Sequence, residues 1–267
     1  MGELYSALNQ AIREKGSVVL LTESKGPNLG AKMLVSDDRT IGSLGDPDLD
    51  RVASAEALEM LLHGAIDTRQ WGPKGEKGDE VEVFIQSFAP PPLMYVFGAV
   101  NLASAVVRIG KYLGYHVTLC DARKIFANKE RFPEADEIVV MWPNEFLETA
   151  RVDKRTAICI LTHDPKFDIP LLEVALKTNA GYIGAMGSRR THAKRVQNLI
   201  EVGITDEELD RIQAPLGLDI GATQPEEVAV AVAAQIIAMK YGRSGGSLKH
   251  AVDRIHARPA EPAEVAG

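Results

Sequence analysis

Beyond residue 92 the chain repeats one pattern: a short apolar run, a turn bearing glycine or polar residues, then a helical stretch. The runs are Leu93–Phe97, His116–Cys120, Glu137–Met141, Thr156–Leu161 and Tyr182–Ala185. Strands without a polar face must be covered on both sides, and a parallel sheet flanked by helices does this. Helices are expected from Gly98 to Leu113, over Asp168–Thr178 and from Ser188 onward. Two more helix starts carry a Thr with Glu three residues later, Thr205–Glu208 and Thr223–Glu226, the spacing of a capping box.

Before residue 89 the pattern is different. Leu4, Ala7, Leu8, Ala11 and Ile12 have helical spacing over residues 3–15, and Gly16 stops that helix. Val18–Leu21, Met33–Val35 and Thr40–Leu44 read as strands, the last two around the turn Asp37-Asp38-Arg39. Residues 48–63 read as a helix. A glycine-bearing loop, residues 72–78, leads from Trp71 to the alternating strand Val81, Val83, Ile85, which predicts a sheet with one wetter face. Ala89-Pro90-Pro91-Pro92 separates the two patterns, because three prolines donate no ladder hydrogen bonds and favour an extended linker. The expected organisation is an N-terminal α+β domain over residues 1–89 and a parallel-sheet domain over residues 93–242. A tail follows over residues 243–267, which are rich in Ala, Pro and Glu and poor in large apolar groups.

The 267 residues suit one or two domains. A net charge of −7 argues against a nucleic-acid partner, which would want a basic face. The first sixteen residues lack the basic start and apolar core of a signal peptide. Val228–Met239 is too short to span a bilayer and contains Gln235. The expectation is a cytoplasmic protein with no membrane partner. The two cysteines, Cys120 and Cys159, sit in apolar runs and read as buried thiols, without zinc-ligand spacing. Asp46, Asp48 and Asp50 lack the glycine and terminal glutamate of a calcium loop, so no metal site is expected.

In an open parallel sheet, ligands bind beyond the carboxyl ends of the strands. Four groups are delivered there, and a glycine-bearing loop before the last helix adds Asp219. The first strand delivers Gly98-Ala99-Val100-Asn101, entering a helix with Ala103 at the last position of a G-x-G-x-x-G/A fingerprint. Val100 replaces the middle glycine, where a side chain crowds a pyrophosphate. Asp121, in Cys-Asp-Ala-Arg, lies at about the right distance for a ribose hydroxyl pair. Thr162-His163-Asp164-Pro165 follows a buried strand and offers a proton donor or ligand and its orienting acid, or else a rigid turn. Gly187-Ser188-Arg189-Arg190 opens a helix, where free N–H groups and two guanidinium forks suit a phosphate. Asp219 stands between Gly217 and Gly221, either near a ligand or in a plain turn. Two readings stay open: a binder of a phosphate-bearing cofactor, and an NAD(P)-dependent oxidoreductase with Asp121 on the ribose and His163 as acid/base. No activated nucleophile is evident, so no catalytic residue is assigned.

The stretches FGAVNLASAVVRIGKYLGYHVTLCDAR, FPEADEIVV, LTHDPKFDIPLLEVAL, GYIGAMGSRRTHAKR and APLGLDIGATQPEEVAVAVAAQIIA resemble the XdhC/CoxI family in order, and GAKMLV with GSLG adds to the match. The resemblance implies an N-terminal XdhC/CoxI domain followed by a Rossmann-like domain. It implies a chaperone for molybdenum cofactor, as molybdopterin or its dinucleotide form, rather than a catalyst. The cofactor would go to a molybdenum hydroxylase client of the xanthine dehydrogenase or CO dehydrogenase type. A sulfur-donating desulfurase and a homodimer are also implied. The chain departs from the family at Val100, where many members keep a full glycine-rich turn. It also departs at Gly45-Asp46, where many carry a cysteine after GSLG.

Overall fold

A computed structural model describes residues 2–250. The chain divides into two compact units at Pro90–Pro91.

The first unit contains α1 (Gly2–Arg13), β1 (Val18–Lys25), β2 (Lys32–Val35), β3 (Thr40–Gly42), α2 (Pro47–His63), β4 (Ile66–Trp71) and β5 (Val81–Phe88). Its strands form an antiparallel sheet in the order β3-β2-β1-β5-β4. The period-two alternation of a strand explains why both faces of β1 are apolar yet serve different helices. Val19 and Leu21 pack with Leu49, Ala53, Ala57 and Met60 of α2. Val18 and Leu20 pack with Leu4, Ala7 and Leu8 of α1. Asp46 caps α2 by accepting from Asp48 N at 2.9 Å, and Gly64, at φ 63°, ends it. Strand β4 was not legible in the sequence. It pairs with β5 from Ile66↔Gln86 to Trp71↔Val81 as a polar edge strand. Its inward Arg69 is buried against Glu56, with Nε to Oε1 at 2.7 Å, and against Asp67.

The second unit contains β6 (Leu93–Phe97), α3 (Asn101–Tyr112), β7 (His116–Cys120), β8 (Glu137–Val139), α4 (Pro143–Thr149), β9 (Ala157–Ile160), α5 (Pro165–Leu176), β10 (Tyr182–Ala185), α6 (Arg189–Glu201), α7 (Asp206–Leu209), β11 (Ile212–Gln213) and α8 (Pro225–Lys240). The sheet is parallel, in the order β11-β10-β9-β6-β7-β8. One face carries Met94, Val96, Val117, Leu119 and Cys159 under Val106 of α3 and Val232 and Ile236 of α8. The other carries Tyr95, Phe97, Ile158 and Ile160 under Leu147 of α4, Leu171 and Leu172 of α5 and Leu199 of α6. Each large side chain buried this way contributes about 1.5–3 kcal/mol relative to exposure. The architecture is thus an α+β unit followed by a Rossmann-like parallel sheet.

Local chemistry moves several boundaries. Helix α5 starts at Pro165, because the Asp164 carboxylate caps it by accepting from Lys166 N at 3.1 Å and Pro165 fits the first helical position. The capping box at Thr205 and Glu208 forms as spaced. At α8 the box shifts by one residue, since Gln224, directly before Pro225, is held extended and becomes the N-cap with Pro225 in the first helical turn. The Glu227 carboxylate, not that of Glu226, accepts from Thr223 N at 2.9 Å and Gln224 N at 3.0 Å. Helix α4 and strand β11 were not anticipated. Of the expected tail, residues 243–250 are exposed and residues 251–267 lie outside the described residues. Among the described residues no helix is long and apolar enough to cross a membrane.

Candidate functional site

Strand β6 leads to β7 on one side of the sheet, while β9 lies against its other edge. At such a switch the crossover helices leave on opposite faces and open a crevice at the strand tips. A cavity of about 540 Å³ opens there. It is lined by Ala99, Val100, Asn101 and Leu102 from the turn into α3, Arg123, Phe126 and Arg131 after β7, His163 after β9, Met186 after β10 and Pro225 at the start of α8. Its volume lies within the roughly 300–1,000 Å³ of small-molecule sites.

The floor of the crevice is fixed by backbone geometry. Gly98 has φ +102°, and a Cβ there would stand 2.8 Å from Thr162 Cγ2 and 3.0 Å from Thr162 N. Only glycine lets the tips of β6 and β9 approach this closely. Val100 is the N-cap of α3 and makes no side-chain cap bond, so the first turn of that helix keeps N–H groups without an internal acceptor.

Asp121, buried at the tip of β7, accepts four hydrogen bonds. Its Oδ2 accepts from Ala99 N at 2.7 Å and Arg123 Nη2 at 2.9 Å, and its Oδ1 from Arg123 N at 2.8 Å and Arg123 Nε at 3.0 Å. Burial alone would raise its pKa, but the Arg123 and Ala99 donors outweigh it and hold the carboxyl below its ordinary value. The lone pairs that a ribose would need are therefore filled, and Asp121 instead ties the β6–α3 turn to Arg123.

Arg123 keeps 47% of its side chain exposed. Its guanidinium lies over the Phe126 ring, 4.6 Å from the centroid, and Arg131 lies 5.5 Å from the same ring. Arg131 Nη1 also donates to Phe126 O at 3.3 Å. One aromatic ring thus carries two cations on the lining of the cavity, and Arg131 also lies 5.4 Å from the centroid of the Phe132 ring.

The structure brings Gly98, Asn101, Asp121, Thr162 and His163 together around the tips of β6, β7 and β9. Of these, Asn101 and His163 line the cavity. Thr162 is buried and its hydroxyl donates to Asp168 Oδ1, while Asp168 Oδ2 accepts from Arg195 Nη2 at 2.7 Å. The same nitrogen donates to Met186 O at 2.9 Å. Asp164 caps α5 and pairs with Lys166 Nζ at 3.1 Å; its hydrogen bonds with Lys166, helped by the nearby Arg123, lower its pKa.

Gly187, Ser188, Arg189 and Arg190 lie beyond the tip of β10, one strand further out, and only Met186 from that tip reaches the cavity lining. Ser188 caps α6, its Oγ accepting from Thr191 N at 3.1 Å, and the two arginines are exposed on the first turn. Asp219 is exposed outside the lining, and Gly217, two residues before it, serves packing: a Cβ there would stand 3.2 Å from Ala231 Cβ. Sequence reasoning did not single out Arg123, Phe126 and Arg131. The available signal was the arginine in Cys-Asp-Ala-Arg, followed by an aromatic and a second arginine before the next strand.

Two family models match the chain, the XdhC Rossmann domain over residues 94–236 and the XdhC and CoxI family over residues 12–72. Among curated relatives, the uncharacterized protein YqeB of Escherichia coli K12 is 26% identical over 85% of this chain and 44% of its own length. A probable xanthine dehydrogenase subunit of Bacillus subtilis 168 is 30% identical over 58% of this chain and 45% of its own. The molybdenum cofactor insertion chaperone PaoD of E. coli K12 is 36% identical over 34% of this chain and 29% of its own. The chain therefore spans less than half the length of these relatives. A crystal structure of a xanthine dehydrogenase from Bacillus halodurans shares the fold, with a TM-score of 0.61, 23% identity and coverage of 89% of this chain and 65% of that one.

Proposed function

The chain belongs to the XdhC and CoxI family, and from that membership we propose that it carries molybdenum cofactor as cargo and assists its insertion into a molybdenum hydroxylase of the xanthine dehydrogenase type. The names of its relatives, an insertion chaperone and a probable xanthine dehydrogenase subunit, support this reading. The observation that carries it is the crevice at the switch between β6 and β9. There Arg123 and Arg131, both over the Phe126 ring, line the same cavity as the start of α3, where Val100 makes no side-chain cap bond.

The cargo is a pterin bearing an anionic phosphate. Arg123, Arg131 and the first turn of α3 supply donors and positive potential for the anion. Asn101 and His163 supply hydrogen-bonding groups for the polar ring, and Val100, Leu102 and Met186 supply apolar walls. A carrier must release what it holds, and a cavity open at the strand tips allows both entry and handover. Cys120 and Cys159 are buried and burial pushes both thiols up to about 12, so cargo sulfur would come from an outside donor rather than from this chain. The test is mass spectrometry of small molecules released from protein purified without oxygen. Molybdopterin or its dinucleotide form is expected. Release of no pterin, or hydride turnover with NAD(P)H, would overturn the proposal.

A further inference from the structure

We propose that the crevice selects a terminal phosphomonoester and rejects a pyrophosphate, with Arg123 and Arg131 as the clamp, Asp121 as the positioning residue and Val100 as the excluding one. This rests on the reading of the crevice as a pterin site and names the form of the ligand it takes.

The exclusion is steric. In a dinucleotide turn the pyrophosphate lies against the backbone of the middle glycine, with no side chain between. Here Val100 occupies that position, lines the cavity and is packed against the core beneath α3. An isopropyl group held from behind cannot swing away, so two linked phosphates lose the backbone they would lie along.

A single phosphate meets a different set of groups. The fork between Arg123 and Asp121 occupies Nε and Nη2 of the guanidinium and leaves the Nη1 edge for an outside acceptor. The fork fixes the plane of that guanidinium over the Phe126 ring, and Arg131 lies over the same ring. Asp121 cancels the charge of Arg123 but sets its orientation, so Arg131 supplies the net positive charge of the clamp. A buried acid that elsewhere would select a ribose thus serves to aim an arginine.

The test uses molybdenum-free probes differing only in phosphate number: 6-hydroxymethylpterin, its monophosphate and its pyrophosphate. Each is titrated calorimetrically into the full chain at one ionic strength. The monophosphate is expected to bind at least about tenfold more tightly than either other probe, the worth of one charge-assisted hydrogen bond. Arg131→Ala, an exposed change, should remove most of that advantage. Val100→Gly should bring the pyrophosphate to within a few-fold of the monophosphate, since glycine is accepted at a helix N-cap. Equal binding of the monophosphate and the unphosphorylated pterin would overturn the clamp while leaving the pterin site standing. Pyrophosphate binding as tight as monophosphate would overturn the exclusion. Binding of none of the three would overturn both this proposal and the pterin reading beneath it.

Discussion

Arg195 Nη2 lies 2.7 Å from Asp168 Oδ2, with 3% and 4% of the two side chains exposed. The pair joins α5 to α6 under the crevice, and Thr162 and the Met186 carbonyl attach it to the tips of β9 and β10. Removing one partner leaves a buried charge alone, which costs about 3–5 kcal/mol. Arg195→Met should therefore lower the urea midpoint strongly. A midpoint equal to that of the wild type would show that the pair does not hold the strand tips.

The Asp121–Arg123 pair gives a pH dependence. A carboxyl whose folded pKa is lowered adds stability above its unfolded value, about 3.9, and loses that stability as pH falls through the folded value. Asp121 has a lowered pKa, against burial and through its Arg123 and Ala99 donors. The stability difference between wild type and Asp121→Asn should stay level from about pH 8 to about pH 5 and shrink below about pH 4. A difference that grows toward acid would contradict the assigned bonding.

Both thiols of the chain are buried, and burial raises each to about 12. At pH 8 the native protein should react with a thiol-specific chromogenic disulfide far more slowly than the unfolded chain, which should release two equivalents. Rapid labelling of the native protein would overturn the assignment of both thiols as inert core groups.

Gln235 interrupts the otherwise apolar middle of α8 for a visible reason. Its Oε1 accepts from Tyr182 Oη at 2.8 Å and from Gly217 N at 2.7 Å. Gln235→Leu would leave two donors unsatisfied, at about 1–3 kcal/mol. Thermal unfolding should show the loss, and a neutral or stabilising effect would mean that the two donors find other acceptors.

The parts of this fold legible in the sequence were those where one strand's burial decides its composition. Leu93–Phe97 and Tyr182–Ala185 are covered on both faces, so their residues announce a parallel sheet without any partner being known. Strand β4 was silent because its Arg69 is neutralised by Glu56, a residue thirteen positions earlier on α2. Gly98, Asn101 and His163 are expected at strand ends, and they lie around the tips of β6 and β9. The role of Asp121 is not legible, since nothing local shows that the Ala99 amide twenty-two residues away fills one of its oxygens. An obvious helix start marks Arg189 and Arg190 in the sequence, and both lie outside the cavity lining. Arg123 and Arg131 meet at the Phe126 ring through an irregular stretch of chain that no periodicity marks.

The most direct measurement is anaerobic equilibrium binding of molybdopterin to the purified chain, alongside Arg131→Glu and the double variant Arg189→Ala/Arg190→Ala. Cargo held in the crevice gives saturable binding to the wild type, at least about a tenfold loss in Arg131→Glu and a smaller loss in the double variant. No binding by the wild type, or equal affinity in Arg131→Glu, would contradict a cargo site at the tips of β6 and β9.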